Sequence, residues 1–301
     1  MLLNLEVARK IEEIRQDRTH GASWLSRQAI GVLNLATMKS EAKKAADFRE
    51  ELKAVARELI EARPSMASIT NYVSRFIYEV SQESKLEKDL VSLKSFACSK
   101  GNELVKDSEK AFLQATEKGA EVIEKGDRLM TCSYSSTICQ AFRIAKLRGK
   151  EFHVVVAESR FGGKVYGELA AEQLKKYGIP ADIIPDNAIG RYISKVNKVL
   201  VGADSISADG SLINGTPTYA VALAAKESQV PFYSLCETAK FDITSYLWKP
   251  IELEEGFDRV PPDSITGIIT EEGITKPDEV VNHIEKMEWI LSIASIRLPQ
   301  K

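Results

Sequence analysis

Polar clusters that follow apolar runs carry the residue types able to do chemistry in this chain. Thr131-Cys132-Ser133-Tyr134-Ser135-Ser136 leaves one such run and enters a helical stretch. A strand that opens into a helix presents unpaired backbone N–H groups, and with serine hydroxyls beside them the turn suits a phosphate. Helix capping by serines with no ligand is the plainer account of this segment by itself. A cysteine at a helix N-terminus has a lowered pKa, which makes Cys132 a candidate nucleophile or acid; a buried, inert thiol is the commoner fate of a lone cysteine. Glu158-Ser159-Arg160-Phe161-Gly162-Gly163-Lys164 joins a guanidinium fork, two glycines and a second cation ahead of another helix. Arginine binds phosphate bidentately and glycine lets the backbone approach closely, although a solvated loop accounts for the segment equally well. Gly202-Ala203-Asp204 ends a strongly apolar run, so Asp204 belongs at the rim of a sheet. There it could act as acid or base, bind sugar hydroxyls, or cap a neighbouring loop. In Asn214-Gly215-Thr216-Pro217-Thr218 the spacing predicts Thr216 as N-cap and Pro217 as first helical residue, which structure alone could explain.

Several chemistries are excluded. His20, His153 and His283 are far apart, His153 falls inside a predicted strand, and no paired Cys/His spacing marks a metal site. Neither a GxSxG elbow nor a dinucleotide or Walker loop occurs. The sum favours a phosphorylated sugar or nucleotide as ligand, with no metal and no cofactor expected.

Positioning these clusters requires two kinds of architecture. From Leu3 to about Glu124 apolar residues recur at helical spacing, which predicts about five helices. Asp17 to Ser23 is a loop with Ser23 as N-cap of the next helix, Arg63-Pro64-Ser65 separates a helix over 41–61 from one starting near Ser68, and a long helix, broken around 98–102, runs to Glu124. Beyond Gly126 short β-rich runs alternate with helical ones, the pattern of a mainly parallel sheet. The predicted strands are 128–132, 152–158, 181–184, 198–202, 232–235 and 265–270, with helices over 135–148, 164–177, 188–196 and 216–228 between them. HVVVAES and KVLVGADS are continuous apolar runs, as expected when helices cover both faces of a sheet. Ligands of such sheets bind outside the carboxyl ends of the strands, where the polar clusters would converge.

The chain of 301 residues, 44% hydrophobic and 28% charged, has the profile of an ordinary globular protein long enough for two domains. Forty-one Lys+Arg against 43 Asp+Glu gives a net charge of -2, so no direct nucleic-acid binding and no attraction to anionic lipid are expected. Cys98, Cys132, Cys139 and Cys236 lack the pairing of a disulfide scaffold, and no signal peptide or membrane span is apparent, so a cytoplasmic location is expected.

Taken in order, MTCSYSS, VVVAESR, GIPADIIPDNAIG, KVLVGADSISADGSLINGTPTYAVALAAK, VPFYSLCETAKFD and FDRVPPDSITGIITEEGI resemble the translation initiation factor 2B alpha/beta/delta family. That family includes regulatory subunits of the exchange factor, ribose-1,5-bisphosphate isomerases and methylthioribose-1-phosphate isomerases. The resemblance implies an α/β protein with a helical N-terminal domain (1–124) followed by a Rossmann-like domain with a mainly parallel sheet (125–301). It also implies a homodimer or higher homo-oligomer, a possible translation factor partner, and a ligand pocket. Phe232, Tyr233, Tyr246, Leu247 and Trp248 could line a pairing surface or belong to the core.

In the isomerases of the family a Thr-His-Cys segment supplies a catalytic cysteine and the aspartate of Gly-Ala-Asp its partner. Asp204 carries over, whereas Ser133 occupies the cysteine position and Cys132 the histidine position. Tyr134-Ser135-Ser136 resembles the regulatory subunits. Asn214 is retained without the lysine that follows it in the family, and His20 stands where an arginine precedes Gly21-Ala22, with Arg18 nearby. Glu158, Arg160, Asp186 and Lys240 match positions near the pocket; Lys164, Ser135 and Ser136 join them as candidate phosphate ligands. Two functions follow: a regulatory protein of the initiation factor 2B type, or an aldose–ketose isomerase on a phosphorylated ribose in which Cys132 takes over the role left by Ser133. The substitutions at the cysteine and lysine positions favour the first.

Overall fold

The computed structural model describes residues 3–86, 89–248 and 253–297. Its first half is helical: α1 (Leu5–Gln16), α2 (Ala22–Lys39), α3 (Ala45–Ala62), α4 (Ala67–Ser84) and α5 (Leu90–Glu121). The Asn4 side chain caps α1 by accepting from the Glu6 N–H, and Asp89 caps α5 by accepting from Val91 and Ser92. Val7, Ile11 and Ile14 of α1 and Phe48, Leu52 and Leu59 of α3 recur at helical spacing and share one core with Leu25, Leu33 and Phe76.

The second half comprises β1 (Arg128–Thr131), α6 (Ser136–Leu147), β2 (His153–Ala157), β3 (Arg160–Phe161), β4 (Lys164–Val165), α7 (Tyr166–Lys176), β5 (Ala181–Ile184), α8 (Ile189–Ile193), β6 (Lys198–Val201), β7 (Ser205–Ile206), β8 (Leu212–Gly215), α9 (Thr218–Glu227), β9 (Phe232–Leu235), α10 (Ile243–Leu247), β10 (Phe257–Val260), β11 (Gly267–Thr270), β12 (Gly273–Thr275), α11 (Val280–Glu285) and α12 (Ser292–Arg297). The main sheet runs β5-β2-β1-β6-β9-β11-β12, parallel except at β12. Ile189, Val221 and Ile284 cover one face, and Ala115 of α5, Phe142 and Leu174 the other. The chain is therefore an α/β protein in which a helical region precedes a Rossmann-like sheet. The chain then returns: Ile296 of α12 joins the helical core, and Ser292 Oγ donates to the Ser74 carbonyl at 2.8 Å. No helix among the described residues is long and apolar enough to cross a membrane.

Several predicted boundaries move for identifiable reasons. The long helix α5 is continuous through 98–102, because Gly101 serves packing and not a break: a Cβ there would lie 2.0 Å from Asn34 Oδ1 of α2. Ser23 does not cap α2; Gly21 holds that position and Ser23 is buried in the first turn. Lys164 and Val165 pair with Arg160 and Phe161 instead of opening a helix, since Gly162 and Gly163 have φ of 57° and 76° and close a two-residue hairpin. The helix predicted over 188–196 shortens to α8 behind a 3-10 turn at Asp186–Ala188. Thr216 is not an N-cap and Pro217 is not the first helical residue: α9 starts at Thr218, whose hydroxyl donates to the Gly215 carbonyl at 2.5 Å. Of the aromatic group, Phe232 is core, whereas Tyr246 and Trp248 are each 40% exposed.

Candidate functional site

In the main sheet the chain leaves β1 toward β2 on one side and later returns to β6 on the other, so the order of strands reverses between β1 and β6. Open parallel sheets bind ligands at such a reversal, beyond the carboxyl ends of the strands. Ser133 follows β1 and Asp204 follows β6, and both line a cavity of about 360 Å³ at that point. The helical half closes it from above with Arg18, Thr19, His20 and Gly21 from the loop between α1 and α2, and with Arg63 and Met66 from the turn between α3 and α4. Phe161 of the β3–β4 hairpin, Tyr166 and the segment Glu254–Phe257 complete the wall.

Local structure explains how these groups are held. Ser133 has φ 59°, in the left-handed region that non-glycine residues seldom adopt, and its N–H donates to Ser159 Oγ at 2.6 Å. Asp204 is fixed through its backbone, whose N–H donates to the Ile213 carbonyl of β8 at 2.9 Å. Arg63 is only 4% exposed; its guanidinium donates to the Asp17 carbonyl at 2.6 Å, while its Nε has no partner among the described residues. A buried, half-satisfied guanidinium on a cavity wall is a group waiting for an acceptor.

The electrostatics concentrate around Asp204. Burial pushes its carboxyl above the usual range, against the pull of Lys240 and Arg63, and Glu254 adds to the rise. Burial and the neighbouring Arg18 lower the pKa of Arg63, opposed by Asp204, Glu254 and Asp17. Lys240, a candidate ligand from sequence, does not line the cavity: it is buried and lies 3.4 Å from Glu237 Oε2. Burial works against its charge, but Glu237, Cys236 and Asp204 outweigh it and hold the pKa above the ordinary lysine value. Arg18 and Arg63 thus share the cavity wall with three carboxyl groups, Asp204, Glu254 and Glu255.

Of the residues singled out from sequence, Arg18, Gly21, Ser133 and Asp204 meet at this cavity. Cys132 does not: it is buried in the apolar core, with Sγ 3.3 Å from Thr218 Oγ1. Its thiol is pushed up to about 12 by burial, which reverses the expectation of a lowered pKa at a helix terminus. Ala22 is buried in the first turn of α2. Ser135 caps α6 through the Ile138 N–H, and Ser136 Oγ lies against Gly21, where a Cβ would stand 3.3 Å away. Asn214 is buried and donates to Thr218 Oγ1 at 2.9 Å. Arg160 is exposed and pairs with Glu158 at 3.3 Å, Lys164 is exposed on the hairpin, and Asp186 accepts from the Ser159 and Arg160 N–H groups at 2.8 and 3.2 Å. Sequence reasoning missed Arg63, Tyr166, Glu254 and Glu255. The signal available for Arg63 was its place before Pro64, where a helix ends and a side chain can face another part of the chain.

A Rossmann-like sheet whose reversal point is roofed by a helical region and lined with Arg18, Arg63, Asp204, Glu254 and Glu255 defines an α/β protein with a charged cavity beyond its strand ends. Residues 18–256 match the model of the Initiation factor 2 subunit family, and the chain belongs to that family. It is 31% identical to a ribose 1,5-bisphosphate isomerase of Thermococcus kodakarensis over 95% of both chains. It is 33% identical to a Pyrococcus furiosus protein named for its likeness to translation initiation factor eIF-2B subunit 2, over 92% of this chain and 98% of that one. The crystal structure of a Pyrococcus horikoshii translation initiation factor eIF-2B superposes with a TM-score of 0.80 at 30% identity, covering 93% of this chain and 100% of the other.

Proposed function

We propose that the cavity binds a phosphorylated sugar or a nucleotide and that the protein acts as a regulatory member of its family, without isomerising the ligand. One observation carries this reading: Ser133 lines the cavity, whereas Cys132 beside it is buried in the core. Aldose–ketose isomerisation shifts a proton between adjacent carbons and needs two groups that exchange protons with the substrate. Asp204, with its raised pKa, suits one of those roles. A serine hydroxyl is a poor second group, because its pKa lies far above that of a thiol and no base is hydrogen-bonded to it among the described residues. Arg18 and Arg63 suit a phosphate, and a volume of about 360 Å³ is within the range of small-ligand pockets.

In this reading the protein works as a homo-oligomer and through contacts with a translation factor, and the exposed Tyr246 and Trp248 offer surface for such contacts. Calorimetry with ribose 1,5-bisphosphate, 5-methylthioribose 1-phosphate and AMP, each added separately to the folded protein, tests the binding. At least one is expected to bind, with affinity reduced by Arg63→Met; no heat from any of the three would overturn the proposal. The isomerase reading is supported by Asp204 and by the Thermococcus kodakarensis relative. Ketose formation separates it from the first.

A further inference from the structure

We propose that Asp186 and Ser159 are positioning residues for the cavity: together they hold Ser133 in a left-handed conformation and so fix the place where its hydroxyl meets the ligand. The proposal rests on the reading of the cavity as a site for a phosphorylated ligand.

Two non-glycine residues with positive φ follow neighbouring parallel strands, Ser133 after β1 at 59° and Ser159 after β2 at 53°. A residue with a Cβ enters that region at a cost, and it stays there only where surrounding contacts over-determine it. Here those contacts form a chain. One Asp186 oxygen accepts from the Ser159 N–H at 2.8 Å and the other from the Arg160 N–H at 3.2 Å. The buried Ser159 donates its hydroxyl hydrogen to the Ala157 carbonyl at 3.2 Å, which leaves an oxygen lone pair to accept from the Ser133 N–H at 2.6 Å. Its own carbonyl accepts from the Tyr166 N–H at 3.3 Å. Every polar group of Ser159 is thus committed, and two of its partners, Ser133 and Tyr166, line the cavity.

The far end of this chain is the Ser133 hydroxyl. Gly215 also lines the cavity, and a Cβ there would stand 2.7 Å from Ser133 Oγ, so the hydroxyl occupies room left by an absent side chain. Helix capping does not account for the turn, because Ser135 caps α6 through the Ile138 N–H from an extended conformation, with φ -129°. Core packing does not account for it either, since Ser133 is only half-buried. Without the Ser159 acceptor the Ser133 N–H loses its bond and the left-handed turn its support. What the strained turn delivers is one hydroxyl at a set place on the cavity wall.

Calorimetry on the full chain with ribose 1,5-bisphosphate, 5-methylthioribose 1-phosphate and AMP, each added separately, tests this through a double-mutant cycle. Ser133→Gly and Ser159→Ala are each expected to weaken binding about fivefold, the loss of one hydrogen bond. In the Ser133→Gly background Ser159→Ala is expected to weaken it no further, because the hydroxyl it positions is already gone; a general loosening of the fold would cost affinity in both backgrounds. Asp186→Ala is expected to match Ser159→Ala, whereas Asp186→Asn, which keeps an acceptor for the Ser159 N–H, restores most of the affinity. These two variants leave the buried serine in place and carry the same cycle should Ser159→Ala not fold. Equal losses with and without Ser133→Gly would overturn the positioning role and leave the cavity reading standing, as would affinity unchanged by Ser159→Ala and Asp186→Ala while Arg63→Met weakens binding. No heat from any of the three compounds, or affinity unchanged by Arg63→Met, would overturn the cavity reading and the proposal with it.

Discussion

Replacing Arg63 by methionine separates a binding group from a structural strut. Among the described residues the guanidinium makes one hydrogen bond, to the Asp17 carbonyl, and that carbonyl also receives Arg18 Nη1 at 2.9 Å. Losing the first therefore does not orphan the acceptor, and the cost is about 1 kcal/mol. Against it stands the removal of a buried charge whose Nε has no partner among the described residues, and methionine keeps most of the packing volume. The two nearly cancel, so the melting temperature is expected to move by no more than about 3 °C. Ligand affinity behaves differently, because a lost charge-assisted contact to phosphate costs about 2 kcal/mol, or about thirtyfold in Kd. Arg63→Lys keeps the charge without the planar fork and is expected to fall between the two. Calorimetry with AMP and ribose 1,5-bisphosphate, paired with thermal denaturation, measures both quantities. A large fall in melting temperature with unchanged affinity would refute the reasoning and make Arg63 a clamp for the loop between α1 and α2.

Three further outcomes follow from the same geometry. Because burial raises the Asp204 carboxyl above its unfolded value, the folded chain favours its protonated form and ionisation costs stability; Asp204→Asn is expected to raise the melting temperature at pH 7 to 8, with the gain shrinking as pH falls into the ordinary carboxylate range. Cys132, Cys139 and Cys236 are buried with raised pKa values, so at pH 8 a disulfide reagent is expected to label only Cys98 in the folded protein, and slowly, with all four thiols reacting after denaturation. A Cβ at Gly167 would lie 2.1 Å from the Ala157 carbonyl oxygen, a backbone atom that cannot rotate away; Gly167→Ala is expected to cost about 2–3 kcal/mol, read as a fall of about 5 °C in the melting temperature.

What the sequence made legible divides along physical lines. The parallel strands were readable because helices cover both faces: His153–Ala157 and Lys198–Val201 are nearly unbroken apolar runs, whereas a strand with one face in water would alternate. The antiparallel sheet of β7, β8 and β10 was not, because strands of two to four residues are too short for alternation to register. Gly101 was misread because a glycine that admits a neighbouring helix looks the same in sequence as one that breaks its own. At the site, the place of Asp204 at a sheet rim was legible because it ends an apolar strand, whereas Ser133 was singled out only by the resemblance that puts it at the family's cysteine position, the strand end itself having pointed to Cys132. Cys132 sits one residue nearer the strand and turns to the opposite side, into the core, so one position in the chain separates a cavity group from an inert one. Arg63 and Glu254 come from segments far from the sheet motifs, and their convergence is a tertiary fact with no local signature.

The central claim is that the cavity takes a phosphorylated ligand without carrying out thiol-dependent chemistry. Following ribose 1,5-bisphosphate by NMR in the presence of the purified protein tests it most directly. Binding is expected with the aldose signals unchanged over many hours, in the wild type and in Cys132→Ala alike. Ketose signals that accumulate with the wild type and vanish in Asp204→Asn or Cys132→Ala would contradict it and make the protein an isomerase.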